Sequence, residues 1–132
     1  MIVESRTLSV SINRHPDEVY AFVLNPENLP QWAPAFCKSV RRAGAEWIVE
    51  TSDGSMKIRF VETNAFRVAD HYVIPTPDLE IYVPMRVLPN GSSGSELLLT
   101  LFHQPNMSDQ EFRRDIDMVT RDLDVLKKIL EK

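Results

Sequence analysis

The sequence predicts an α+β domain in which a curved antiparallel sheet of seven strands wraps around one long C-terminal helix, with two short helices between the first and second strands. Three observations carry this. Seven runs either alternate apolar with polar residues or are dense in β-branched, aromatic and leucine side chains, as strands buried on one face are. A proline followed by two acids opens a helix directly after the first run. Residues 108–132 begin with a capping box and carry an apolar stripe at spacings of three and four, which marks an amphipathic helix. Residues 1–132 are read as one domain.

In residues 7–12, Leu8, Val10 and Ile12 share one face and Thr7, Ser9 and Ser11 the other, so a half-buried strand is expected. Pro16 is then preset for the first helical turn, and Asp17 and Glu18 suit the positive end of the helix dipole, giving a short helix to Leu24. Pro26 and Pro30 stop it, and Gln31-Trp32-Ala33-Pro34 leaves space for only a second, very short helical turn. Strands are expected at 36–42, 46–52 and 55–63, separated by Ala43-Gly44 and by the hairpin signal Asp53-Gly54. Trp47, Val49 and Thr51 share one face, as do Met56, Ile58 and Phe60. A fifth run, 66–74, ends at Pro75-Thr76-Pro77. The sixth, 81–87, tolerates Pro84 best near an edge or bulge, since proline has no amide hydrogen to give to a ladder. After Asn90-Gly91, the seventh run, 96–104, is almost wholly apolar in its middle; with Glu96 outward, Leu97, Leu99, Leu101 and His103 point inward.

Ser108-Asp109-Gln110-Glu111 is the capping box, in which the serine hydroxyl and the glutamate carboxylate satisfy each other's exposed backbone donors. Behind it, Phe112, Ile116, Val119, Leu123, Leu126 and Leu130 form the stripe. Acid-then-base pairs four apart (Asp109 with Arg113, Asp117 with Arg121, Asp124 with Lys128) lie along a solvated outer face. Such a helix needs a wide apolar partner, and the sheet is the simplest one.

The composition narrows the function. With 43% hydrophobic residues the chain can build a core without disulfides, and 15 Lys plus Arg against 19 Asp plus Glu leave a net −4, which attracts neither nucleic acid nor anionic lipid. One cysteine, Cys37, excludes a disulfide framework and suits a reducing, cytoplasmic setting; no apolar run is long enough for integral membrane association. The Asn-x-Ser triplets at Asn90 and Asn106 read as turn chemistry. No motif calls for a metal or a cofactor, and Gly91-Ser92-Ser93-Gly94-Ser95 departs from a nucleophile elbow in its last position and lacks the following helix.

His71 and His103 are the informative polar residues. If Asp70 and Tyr72 face outward, His71 faces inward with Ala69 and Val73, and the two imidazoles interrupt an otherwise apolar lining. There they are candidates to hydrogen-bond a ligand or to act as acid and base, against the plainer reading of satisfied strand or rim residues. Trp32 is a candidate gate and Trp47 an inward aromatic, with core packing the commoner use of either. Cys37 reads as a small buried residue, and Arg59 and Arg86 as outward charges.

The order of strand, short helices, further strands and long helix resembles the START-related helix-grip superfamily, also labelled SRPBCC. Its polyketide cyclases, lipid-transfer domains and pollen allergens share that order. The resemblance rests on His15-Pro16-Asp17-Glu18-Val19-Tyr20-Ala21-Phe22-Val23 and Leu29-Pro30-Gln31-Trp32-Ala33-Pro34, and small bacterial polyketide cyclase-like members are similar in Val83-Pro84-Met85-Arg86-Val87 and Thr100-Leu101-Phe102. It implies a helix-grip fold with a cavity between the concave sheet face and the last helix. The expected function is binding of a small hydrophobic or aromatic molecule, with Trp32, Trp47, Phe60, His71, Met85, Leu99, His103, Phe112 and Val119 lining the cavity. The alternatives are a polyketide cyclase or dehydratase-type enzyme using His71 and His103 as acid and base, and a protein-interaction module with a filled core. The sequence is compatible with a homodimer.

Overall fold

The computed structural model describes all 132 residues. Strand β1 (Ser5–Ile12) is followed by helix α1 (Pro16–Leu24), a 3-10 turn (Pro26–Asn28) and the four-residue helix α2 (Leu29–Trp32). Strands β2 (Ser39–Ala43), β3 (Glu46–Thr51), β4 (Gly54–Phe60), β5 (His71–Thr76), β6 (Leu79–Val83), β7 (Met85–Asn90) and β8 (Gly94–Phe102) come next, and helix α3 (Asp109–Leu130) completes the order. Every ladder is antiparallel: β1-β8-β7 form one sheet and β2-β3-β4-β5-β6 the other.

There are thus eight strands in two sheets, where the sequence predicts seven in one. The difference lies at Pro84, which divides the expected sixth strand into β6 and β7. Pro84 cannot donate to a ladder, but its carbonyl accepts from the Thr100 amide at 3.0 Å, so the chain passes there from one sheet to the other. The expected fifth strand also starts late, at His71. Asn64 explains this: its Oδ1 accepts from the amides of Phe66 (3.0 Å) and Val68 (3.1 Å), a local turn that outcompetes strand pairing. Arg67 adopts a φ of 56° within that turn and is held by an ion pair to Asp17 at 2.7 Å. The following residues then tie onto β7, Ala69 N–H donating to the Met85 carbonyl at 2.8 Å.

Alternation builds the core as the sequence suggests. Val10 and Ile12 of β1, Val49 of β3, Ile58 of β4, Met85 and Val87 of β7 and Leu97 and Leu99 of β8 are buried, together with Val19 and Val23 of α1 and Leu29 and Trp32 of α2. Helix α3 packs along β1 and α2 and buries Phe112, Leu123, Leu126 and Leu130, with Val119 half-buried. Its capping box forms: Ser108 Oγ accepts from the Glu111 amide and Glu111 Oε1 from the Ser108 amide, both at 3.1 Å. One acid on α3 faces inward, because buried Asp122 accepts from the Ala35 amide at 3.0 Å and fixes the segment after α2.

Asp70 and Arg86 face outward as alternation expects, but they meet there as partners. Asp70 is on the outer side but buried, because Tyr82 and Arg86 close over it: Tyr82 Oη donates at 2.7 Å, the Met85 amide at 2.9 Å, and Arg86 Nε and Nη2 at 3.1 and 3.0 Å. Arg86 is therefore a partner of a buried acid rather than a free surface charge. Arg59 does lie outside, ion-paired to Glu80 and with its guanidinium 4.9 Å from the Tyr72 ring centroid.

Candidate functional site

The β2-β3-β4 ladder sets the site. Arg42 pairs across from Trp47, and Trp47 from Ile58, so Arg42, Trp47, Ile58 and Phe60 project to the same side. Opposite them stand the C-terminal end of α1, the 3-10 turn and α2. Two clefts open between these elements. One, of about 640 Å³, lies between Glu27 and Pro30 on one side and Lys38 with the edge-strand residues Ser39 to Arg42 on the other, and Trp47 also lines it. The other, of about 490 Å³, is walled by Leu24, Pro26, Ala45, Trp47, Phe60 and Val61. Arg42 and Trp47 line both, and the Arg42 guanidinium sits 5.7 Å from the Trp47 ring centroid.

His71 is directly across the ladder from Phe60, with ring centroids 4.7 Å apart and a tilt of 32°. It is buried, and its Nδ1 lies 3.1 Å from the Ala69 carbonyl. A carbonyl only accepts, so Nδ1 carries the proton and Nε2 is left as an acceptor with no hydrogen bond inside the chain. Burial pushes the imidazole down to about 4, against the opposing pull of the Ala69 hydrogen bond and the Asp70 charge. His71 is accordingly neutral at physiological pH.

His103 has a different setting. Strand β8 ends at Phe102, and the ring turns to donate from Nε2 to the Met107 carbonyl at 2.7 Å, stacking on Phe112 at 4.8 Å and 5°. Each imidazole therefore has its own aromatic partner and its own backbone carbonyl. Trp47 lines both clefts and Phe60 the smaller one, whereas Trp32, His71, Met85, Leu99, His103, Phe112 and Val119 line neither, His71 standing behind Phe60. Of these, Trp32, His71, Met85, Leu99 and Phe112 are buried, and Trp32 Nε1 has no hydrogen-bond partner. Cys37 is buried, donates to the Ser39 carbonyl at 3.3 Å, and is pushed up to about 11 by burial, so its thiol is inert. The basic pair Lys38 and Arg42 is the part of the site that pattern reading passes over. The signal was the register across the Ala43-Gly44 turn, which sets Arg42 opposite Trp47.

Antiparallel strands with a long C-terminal helix packed against them, and two short helical segments directly after the first strand, define the helix-grip fold shared by START-related proteins. Three solved structures make the likeness concrete. XoxI from Bacillus cereus superposes with a TM-score of 0.78 at 18% identity, over 98% of this chain and 96% of that one. A START superfamily protein from Mycobacterium smegmatis gives 0.74 at 11% identity, over 96% and 97%. The Zhui aromatase/cyclase from Streptomyces sp. R1128 gives 0.70 at 13% identity, over 98% and 94%. At these identities the likeness is one of fold. No family model matches the sequence, and none of the curated proteins does. No helix is long and apolar enough to cross a membrane.

Proposed function

We propose that the chain binds a small hydrophobic or aromatic molecule in the clefts around Trp47 and Phe60. The carrying observation is that two large aromatic side chains from adjacent strands, Trp47 and Phe60, wall the smaller open cleft of about 490 Å³, a size that suits such ligands. Behind them, His71 Nε2 is an acceptor in search of a hydroxyl or phenol donor. The fold supports the reading, because structures of this type include START and aromatase/cyclase proteins.

His71 favours binding over the polyketide cyclase or dehydratase alternative. With a pKa of about 4, only about one imidazole in a thousand carries a proton at pH 7, too few for a general acid, and so weak a base is a poor proton acceptor. As a fixed hydrogen-bond acceptor it works at any pH above that value.

Calorimetric titration with 2-naphthol tests the proposal. A Kd below about 1 mM requires roughly 0.4 kcal/mol per non-hydrogen atom, within the range for ligands of this size. Binding is expected to weaken about tenfold or more in Trp47→Ala. His71→Phe is expected to lower the affinity for naphthol while sparing naphthalene. Absence of saturable heat with both compounds, together with no thermal shift, sinks the proposal.

A further inference from the structure

We infer that the natural ligand is an aryl carboxylate whose anionic end is held by Arg42 and Lys38 while its ring lies against Trp47 and Phe60; this rests on the binding reading above. The chain as a whole is acidic, at −4, yet the larger cleft is lined by three cations, Lys38, Arg41 and Arg42, and one acid, Glu27, with Arg42 on the Trp47 face of the ladder and Arg41 on the other. None of the three sits on a carboxylate. Lys38 Nζ donates to the Pro34 carbonyl at 3.2 Å, and Arg42 uses only Nε, donating to the Gly44 carbonyl at 3.1 Å. Lys57 and Arg59 pair with Glu46, Arg67 with Asp17 and Arg86 with Asp70, whereas Arg6, Arg113, Arg121, Lys128 and Lys132, like the cleft cations, carry no ion pair but line neither cleft. The cations left unpaired at the cleft can meet an anion without first giving up an internal partner.

Geometry selects the class of anion. Arg42 and Trp47 belong to both clefts, so the basic side and the apolar side, with Leu24, Ala45 and Phe60, adjoin at this one pair. The guanidinium at 5.7 Å from the indole centroid leaves both terminal nitrogens uncommitted. A planar carboxylate matches that fork with two parallel hydrogen bonds, and a ring attached to it falls over the apolar side. The acid of the apolar side, Glu62, makes a second negative group at that end unfavourable, which points to one anionic terminus on a flat body.

The test compares 2-naphthoate with the neutral, nearly isosteric 2-naphthamide by calorimetry. The wild-type protein is expected to prefer naphthoate about tenfold, the scale of a charge-assisted pair discounted for its exposure. Arg42→Gln brings the two ligands to within about threefold, and adding Lys38→Gln reduces the preference further. Arg113→Gln, on the outer face of α3, removes the same net charge and leaves the preference intact. The preference shrinks from 0.05 to 0.5 M NaCl, as the screening length falls from about 14 to about 4 Å. Equal wild-type affinities, or a preference that survives both cleft substitutions, overturns the carboxylate subsite while the binding reading stands. If neither compound binds, both fail. Trp47→Ala is expected to weaken both compounds alike.

Discussion

Replacing Asp70 by alanine tests the joint between the two sheets. The carboxylate is 6% exposed and accepts four hydrogen bonds, from Tyr82, the Met85 amide and two nitrogens of Arg86. Met85 is fully buried, so its amide loses its acceptor with no water to replace it, at about 1–3 kcal/mol. The Arg86 side chain is 47% exposed and turns to solvent, as does Tyr82, so their share is only about 0–1 kcal/mol. Asp70→Ala is thus expected to lose about 2–3 kcal/mol, or roughly 6–12 °C in Tm for a domain of this size. Urea and thermal unfolding followed by circular dichroism measure it. Burial by itself raises the Asp70 carboxyl, but the hydrogen bonds from Arg86, Tyr82 and Met85 outweigh it and hold it below the ordinary range. The sign follows: the stabilisation is present above the unfolded value, about pH 3.9, and is lost as pH falls through the lower folded value. The gap between wild type and Asp70→Ala therefore narrows in strong acid. A loss under about 1 kcal/mol at neutral pH, or a gap that stays constant into acid, refutes the clamp.

His71 and Gly94 give two independent checks. The buried imidazole titrates at about 4 in the folded chain, below its ordinary 6.5, so the unfolded chain takes up its proton first. Stability is full above about pH 6.5 and falls by about 3 kcal/mol toward pH 4, a loss that His71→Phe removes; parallel urea midpoints for the two proteins across that range contradict the burial. At Gly94, an added Cβ falls 2.8 Å from the Asn90 carbonyl oxygen, a backbone atom that cannot swing aside. Gly94→Ala is expected to cost about 1–3 kcal/mol, and chemical denaturation within about 0.5 kcal/mol of wild type rules out the close approach.

Periodicity made most of the fold legible because it reports burial directly. The alternation in β1, the facing of Trp47 and Ile58 and the stripe on α3 each mark a face that the core covers. What it leaves out depends on partners distant in the chain. Asp70 looks outward by parity, and it is; its burial comes from Tyr82 and Arg86, brought over it by β6 and β7. Likewise His103 continues the inward parity of β8, but the strand ends one residue earlier and the Met107 carbonyl captures the ring. Pro84 carries a local signal of interruption, yet only the Thr100 partner shows that the interruption is a crossing between sheets.

The same limit bears on where a ligand goes. An apolar stripe on a long helix demands cover, and a filled interface supplies it as well as a cavity does. In α3 the stripe residues Phe112, Leu123, Leu126 and Leu130 are buried among other side chains. The clefts around Trp47 lie instead against the proline-rich segment from Leu24 to Pro30, where a 3-10 turn and a single helical turn replace a longer helix. Pro26 and Pro30 fix that backbone but contribute no long side chains to fill the space facing β2 to β4. Vacancy here follows from what the prolines prevent, so the place to look for the ligand is beside the broken helices, where Arg42 meets Trp47.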